Sequence, residues 1–413
     1  MSKLYGRILR SIVEQEYASH EIEEQAGFRT GRSCVDHIFS LVQLNERKLA
    51  TNREVHLLFV DLTKAYDNVP TQKLWQVLEM SSINNTVIQA IKQLYNQATS
   101  RIKLGKSMSE SFPISKGLRQ GCCLSTTLFK IYLNETLRKW RKSCSGMGIQ
   151  LNDIKTLYTL HFADDQVVVA QDKEDLEFMA TRLFAEYEKW GLSVNKTKTK
   201  YLCIGQKADS LHLEDNIEIG TCSEYTYLGA QIDHTGRTET EIGLRILKGR
   251  RVIGCLNSIL WSKNISREKK HQIYNSIFEG IVLYGCETWQ LTKGVERRLL
   301  ALEMDFWRRS AGKSKMDKVR NETIRNIMQV ERTIIDEIQR RQLIWYGHVE
   351  RMCDERLPKM ILKWTPPERR KRGRPKKTWF EGIEKAMSER NLHPGDWQDR
   401  KAWRLGTGRR RTL

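Results

Sequence analysis

"LYTLHFADDQVVVA", residues 157–170, sets two adjacent aspartates between two apolar runs. Asp164 and Asp165 repel each other, and burial by itself makes that repulsion worse. Apolar residues on both sides of a short polar step read as a hairpin with the two carboxylates at its tip. Taken alone, such a pair is a solvated turn, because Asp is common in turns for local hydrogen-bonding reasons. The repulsion becomes tolerable where a divalent cation neutralises it, and hard carboxylate oxygens suit Mg²⁺. A third carboxylate, Asp61, ends the other strongly apolar run, "VHLLFVDL" (55–62), whose unbroken hydrophobicity is that of a strand buried on both faces. Two neighbouring strands ending in these acids could share two ions about 3.5–4 Å apart, an arrangement used for in-line phosphoryl transfer.

Helical patterns surround these strands. "VDHIFSLVQLNERKLA" (35–50) spaces its apolar residues at helical period, and "VPTQKLWQVLEM" begins a second helix behind Pro70. "RIKLGKSMSESFPISKG" (101–117) alternates like a hairpin leading into the loop "GLRQGCCLS". "TTLFKIYLNETLRKW" should turn Leu128, Ile131, Tyr132 and Leu137 inward, and residues 174–190 should form a helix stopped by Gly191 in a left-handed cap. "TKYLCIG" and "YTYLGAQI" read as strands, and beyond about residue 237 the period is helical almost throughout.

With 413 residues, 39% of them hydrophobic, the chain can bury more than one core and is not disordered over most of its length. Lys and Arg number 70 against 50 Asp and Glu, a net charge of +20 that favours a polyanionic partner through counterion release. A membrane surface is the rival partner, but no apolar stretch approaches the ~20 residues of a spanning helix. The N-terminal "MSKLYGRILRSIVEQ" has no signal-peptide core. Nine cysteines form no C-x-x-C and no zinc-like spacing, so they read as small core residues in a reducing compartment, nucleus or cytoplasm.

The motifs resemble those of reverse transcriptases. "FVDLTKAYDNVP" (59–70), "GLRQGCCLSTTLFKIYLNE" (117–135), "FADD" (162–165), "GLSVNKTKTKYL" (191–202) and "YTYLGAQI" (225–232) fall in the order and spacing of the palm motifs. "EEQAGFRTGRSCVDHI" (23–38) resembles the fingers segment before them, and "RRQLIWYGHVERM…RGRPKKTW" the region after the thumb in animal elements. The similarity is greatest to non-LTR, LINE-type retrotransposon enzymes. It implies an α+β right-hand polymerase: partial fingers (1–54), palm (55–236), helical thumb (237–310) and a basic helical nucleic-acid-binding region (311–413). It also implies a larger polyprotein, whose first fingers motif and endonuclease would precede this segment.

Residue by residue, the resemblance makes Asp61 and Asp164 the principal ligands of two Mg²⁺ ions, with Mn²⁺ as a substitute, Asp165 beside them and the Leu62 carbonyl as a lesser ligand. Ala65 and Tyr66 would lie against the nucleotide, Tyr66 matching the aromatic gate that rejects a ribose 2′-OH, although a core aromatic reads the same. Gln120 would face the incoming nucleotide and template. Arg29 and Arg32 would clamp the triphosphate, a geometry Arg suits, or else be solvated loop charges. Lys198 would protonate the pyrophosphate, with three lysines competing for that role. Tyr227, Leu228 and Gly229 match the primer grip, and an ordinary strand reads likewise. Thr126 stands where the family usually has Pro, and Thr can cap a helix.

The tail from 351 to 413 holds 19 basic and 8 acidic residues, +11 of the total +20. Within it "KRGRPKK" (371–377) resembles an AT-hook, so Arg372, Arg374, Lys376 and Lys377 bind nucleic acid either in a minor groove or by general phosphate attraction. Trp364, Trp379, Trp397 and Trp403 either stack on bases or, the simpler expectation, pack among helices.

The function expected is RNA-directed DNA polymerisation, with RNA template, DNA primer or target DNA and dNTPs as partners. The alternative is a nucleic-acid-binding remnant without catalysis. An RNA-copying RNA polymerase is disfavoured by Tyr66, since admitting ribonucleotides usually needs a smaller residue there. Oligomeric state is not legible.

Overall fold

The computed structural model describes residues 2–96, 99–368 and 377–409. The run at 55–60 folds as strand β1 (Val55–Val60), every residue of it buried, because no position carries a polar side chain that needs water except His56. The aspartate hairpin forms as β2 (Thr159–Phe162) and β3 (Asp165–Ala170), and "KYLCI" as β4 (Lys200–Ile204). They make one antiparallel sheet in the order β4-β1-β3-β2. Thus β1 and β3, the strands next to the acids, are the two central ones.

Among the described residues, six α-helices are interspersed with these strands along the chain. α1 spans Ser2–Tyr17, α2 Cys34–Ala50, α3 Thr71–Glu79, α4 Asn85–Tyr95, α5 Ser125–Ser143 and α6 Lys173–Lys189. α5 and α6 pack on each other, and the buried Trp140 indole of α5 donates to the Met179 carbonyl of α6 at 2.8 Å. Leu128, Ile131, Tyr132 and Leu137 lie fully inward, as their spacing requires. Gly191 ends α6 at φ +79°, and a Cβ there would lie 2.5 Å from the Pro70 ring, so both conformation and space demand glycine.

Two local expectations need correction. Thr126 does not cap α5: Leu124 holds the cap position with no side-chain bond, and the Thr126 hydroxyl donates instead to the Cys123 carbonyl at 3.2 Å. Nor is "YTYLGAQI" one strand. Leu228 (φ +48°) and Gly229 (φ +79°) break it into Glu224–Tyr227 and Ala230–Asp233, because two successive left-handed residues reverse an extended chain.

The chain divides into two compact units, each discontinuous in sequence. The first comprises residues 1–37 and 54–228 and contains the sheet. The second comprises 38–53 and 229–413 and is helical, with α7 (Glu239–Cys255) and the helices Lys293–Ser310 and Ile334–Glu350 around a core running from Ile242 to Ile338. In it Phe39 sets its ring edgewise to Trp345 and Trp379, at 5.6 and 4.9 Å. Trp364, Trp379 and Trp403 are buried, as packing rather than base stacking requires. Among the described residues no helix is long and apolar enough to cross a membrane.

Candidate active site

Asp61 follows directly on β1. Val60 pairs with Gln166 across the sheet, and one further step of that register sets Asp61 opposite Asp165 at the head of β3. Phe162 pairs with Asp165, which leaves Ala163 and Asp164 as a two-residue turn. Ala163 has φ +61° while Asp164 does not enter positive φ, the sign pattern of a type II′ hairpin, usually built on Gly. Asp164 and Asp165 are exposed and Asp61 half-buried.

Their charges meet. The Asp165 carboxyl is raised above its ordinary range by loss of water around it, then by the negative charges of Asp164 and Asp61. Three aromatic side chains feel the same charges. The Tyr66 phenol is pushed up by burial and then by Asp164, and Tyr227 by burial and then Asp165. Tyr225, stacked on Phe59 at 4.1 Å, is pushed up by burial, Asp165 and Asp61. Tyr225 was not singled out in the sequence, where it read as one more strand residue.

The segment 193–199 wraps the other side of Asp61. Asn195 N–H donates to the Asp61 carbonyl at 2.8 Å, Asp61 N–H donates to Thr199 Oγ1 at 3.3 Å, and the buried Leu62 bridges Val194. Lys198, exposed, precedes Thr199 and is tied by its own N–H to Asn195 Oδ1 at 3.3 Å.

Tyr66 and the glycine loop are laid together by backbone bonds. Leu118 N–H donates to the Tyr66 carbonyl (2.9 Å) and Gly117 N–H to the Val69 carbonyl (2.8 Å). The Tyr66 ring stacks on Phe129 at 4.2 Å, and its hydroxyl is buried with no hydrogen-bond partner among the described residues. Ala65 beside it is buried. Gln120, exposed, donates its amide to Asp67 Oδ1 at 2.9 Å.

Arg29 and Arg32 are neither solvated nor turned outward. Arg29 pairs with Glu21 (2.7 Å) and donates to the Ile22 and Gln25 carbonyls, while Arg32 pairs with Glu23 (2.5 Å). Both guanidiniums lie near the buried His37, whose imidazole is held neutral, down to about 3, by burial and then by these two charges. Tyr227 is buried, its hydroxyl within 3.4 Å of the Leu160 carbonyl and of His37 Nδ1, so its ring serves the core under the sheet. Leu228 and Gly229 form the left-handed step already described. Arg372, Arg374 and Lys376 lie outside the described residues; Lys377 donates to the Leu291 carbonyl at 2.6 Å.

A second group of metal-ligating types, Glu54, His56 and Cys203, lies at the far end of β1. It is satisfied internally. His56 Nδ1 shares a hydrogen bond with the Tyr201 hydroxyl (2.7 Å), and the Cys203 thiol, pushed up to about 11 by burial and then Glu54, donates to Glu54 at 3.8 Å. By contrast, among the described residues no ion pair joins a cation to any of the three aspartates, and they form an oxygen donor set whose mutual repulsion a hard divalent ion would relieve. The residues present therefore fit such an ion.

The chain is similar to known proteins over most of its length. A family model described as "Reverse transcriptase (RNA-dependent DNA polymerase)" matches residues 1–232, more than half of the chain. An uncharacterized transposon-derived protein of Caenorhabditis elegans is 28% identical over 285 residues, covering 62% of this chain and 97% of that protein. A Drosophila melanogaster protein named "Probable RNA-directed DNA polymerase from transposon X-element" is 22% identical over 396 residues, 91% of this chain and 41% of its own length. The chain thus spans less than half of the fly relative. Among solved structures, telomerase from Candida tropicalis with a fragment of telomeric RNA shares 13% identity over 88% of this chain and 56% of its own, with a TM-score of 0.45.

Proposed function

The chain belongs to the reverse transcriptase family, and from that premise we propose that it is the RNA-directed DNA polymerase portion of a non-LTR retrotransposon protein. The reaction is attack of a primer 3′-hydroxyl on the α-phosphate of a dNTP, with pyrophosphate leaving. The observation that carries the proposal is the meeting of Asp61, Asp164 and Asp165 at the ends of the two central strands and the turn before β3, closely enough for the charges of Asp164 and Asp61 to raise the Asp165 carboxyl. In this reading residues 55–236 are the palm, 1–54 part of the fingers, 237–310 the thumb and 311–413 a nucleic-acid-binding region.

Reverse transcriptases use divalent metal ions, and here Asp61, Asp164, Asp165 and the Leu62 carbonyl would hold them, Mg²⁺ by preference and Mn²⁺ in substitution; bound there, they supply charge stabilisation to the transferring phosphoryl group. The other residues position and select. Tyr66, with Ala65, walls the sugar, its ring fixed by Phe129. Gln120 offers an amide to the nucleotide and template from a loop pinned to Tyr66 and Val69. Lys198 stands one residue from the threonine that holds Asp61 and is assigned to protonate the leaving pyrophosphate. Arg29 and Arg32 would reach a triphosphate by exchanging Glu21 and Glu23 for it. Tyr227, Leu228 and Gly229 would hold the primer end, and the tail with Arg372, Arg374, Lys376 and Lys377 the surrounding nucleic acid. A reducing compartment, nucleus or cytoplasm, suits the nine free cysteines.

The test is primer extension on an RNA template with Mg²⁺ and dNTPs. Wild-type protein extends; Asp164→Ala loses at least about 10²-fold in rate while its affinity for primer–template stays within about twofold. Protein that binds primer–template but extends nothing with either metal leaves a nucleic-acid binder without catalysis.

A further inference from the structure

The turn that presents Asp164 is held from outside the sheet. β2 is an edge strand, and residues Glu24–Ala26 pair along its open side in parallel: His161 N–H donates to the Glu24 carbonyl (2.8 Å) and Ala26 N–H to the His161 carbonyl (2.9 Å). Glu24 is itself buried and anchored by Lys155 at 2.9 Å. That pairing brings the Gln25 side chain, 1% exposed, to the hairpin tip. Its Oε1 accepts two backbone N–H groups, from Gly27 at 2.9 Å and from Ala163 at 3.2 Å.

The Ala163 N–H is the donor that matters. In a two-residue hairpin closed by Phe162 and Asp165, the first turn residue has no ladder partner, and Ala163 is buried, so its N–H needs an acceptor other than water. Ala163 also stands at φ +61°, a conformation L-residues adopt only when their surroundings impose it. Gly27 closes the remaining space: a Cβ on it would lie 2.2 Å from the Ala163 nitrogen. Segment 24–27 thus fixes the turn by one side-chain acceptor and one close backbone approach.

We propose that Gln25 is a positioning residue for the metal-binding turn, setting through the Ala163 N–H where Asp164 and Asp165 point and hence how tightly they take a divalent cation. This rests on the polymerase reading for its purpose, but not for its measurement, which uses Mn²⁺ alone on the whole chain without nucleotide. In a calorimetric titration, wild type binds Mn²⁺ and Asp164→Asn loses that binding. Gln25→Leu, which keeps bulk but removes the acceptor, weakens it roughly five- to tenfold with primer–template affinity unchanged. Gln25→Glu, which retains an acceptor oxygen, stays within about twofold of wild type. The inference is overturned if Gln25→Leu binds as wild type, if Gln25→Glu is as weak as Gln25→Leu, or if wild type shows no Mn²⁺ binding that Asp164→Asn removes. Should Gln25→Leu melt below the assay temperature, Gly27→Ala decides: weaker Mn²⁺ binding supports the clamp, unchanged binding rejects it. Failure of the polymerase reading has a separate signature, namely a wild-type chain that holds Mn²⁺ and still extends no primer.

Discussion

Asp165 sits where the fold disfavours its charge, and the sign of the effect can be followed. Its carboxyl is raised in the folded chain, so the folded state binds its proton more tightly than the unfolded state does. That contribution to stability is therefore present at low pH and lost as pH rises through the raised folded-state value. In metal-free buffer at pH 7.5, Asp165→Asn should raise the melting temperature by roughly 1–4 °C, and the gain should vanish near pH 3. A gain that persists at pH 3 would point to something other than charge. Tyr66 gives a second prediction. With its ring fixed on Phe129 and its hydroxyl without a hydrogen-bond partner among the described residues, Tyr66→Ala should raise ribonucleotide use relative to dNTP by about tenfold in extension assays. An unchanged ratio removes the gate assignment. The three aspartates were legible because a carboxylate closing an all-apolar strand has few purely structural uses. Gln25 was not, since its role depends on an edge pairing and a turn dihedral that leave no periodic trace. The partners of Arg29 and Arg32 stood in the same stretch of sequence, yet only the loop's path brings Glu21 and Glu23 against them.

At the scale of elements, the helix Lys293–Ser310 buries Glu303 completely. Tyr274 Oη donates to it at 3.3 Å, Arg325 at 3.2 Å and the Ile334 N–H at 2.9 Å, but burial outweighs them and pushes the carboxyl up to about 7. Glu279, beside Glu337, is likewise raised to about 7 by burial and that neighbouring charge. Both groups make the helical unit lose stability as pH climbs from the ordinary carboxylate range through 7. Glu303→Gln, keeping an acceptor for Ile334, should match wild type near pH 4.5 and melt higher at pH 7.5; a lower melting point there would contradict the assignment. Helix positions were readable because a 3.6-residue period survives in any context. Helix ends were less so: Thr126 has the chemistry of a cap, but the backbone enters α5 two residues earlier, at Leu124, and leaves Thr126 inside the first turn. The break at Leu228–Gly229 was hidden for a related reason, since leucine gives no sign of a positive φ.

For the whole molecule, composition gave the basic character directly, whereas the division into units could not be read from it. Linear segmentation assumes that neighbours in sequence fold together, and α2 breaks that assumption after His37. Its later residues are tied to the far end of the chain. Phe39 meets Trp345 and Trp379, the Arg47 guanidinium donates to the Leu362 and Trp364 carbonyls, and Lys48 pairs with Glu368 at 3.0 Å. A chain cut after Leu228 should accordingly be poorly soluble and bind an apolar dye, while one in which Phe39 is also replaced by Ser should aggregate less; equal solubility of the two would reject this account. The same feature sets an order on synthesis. Phe39 leaves the ribosome 306 residues (345 − 39) before Trp345, a wait of about 15–60 s at ordinary elongation rates. Throughout that interval the nascent helix lacks the two indole rings that meet Phe39 in the finished fold, which leaves that benzyl side chain open to a shielding chaperone.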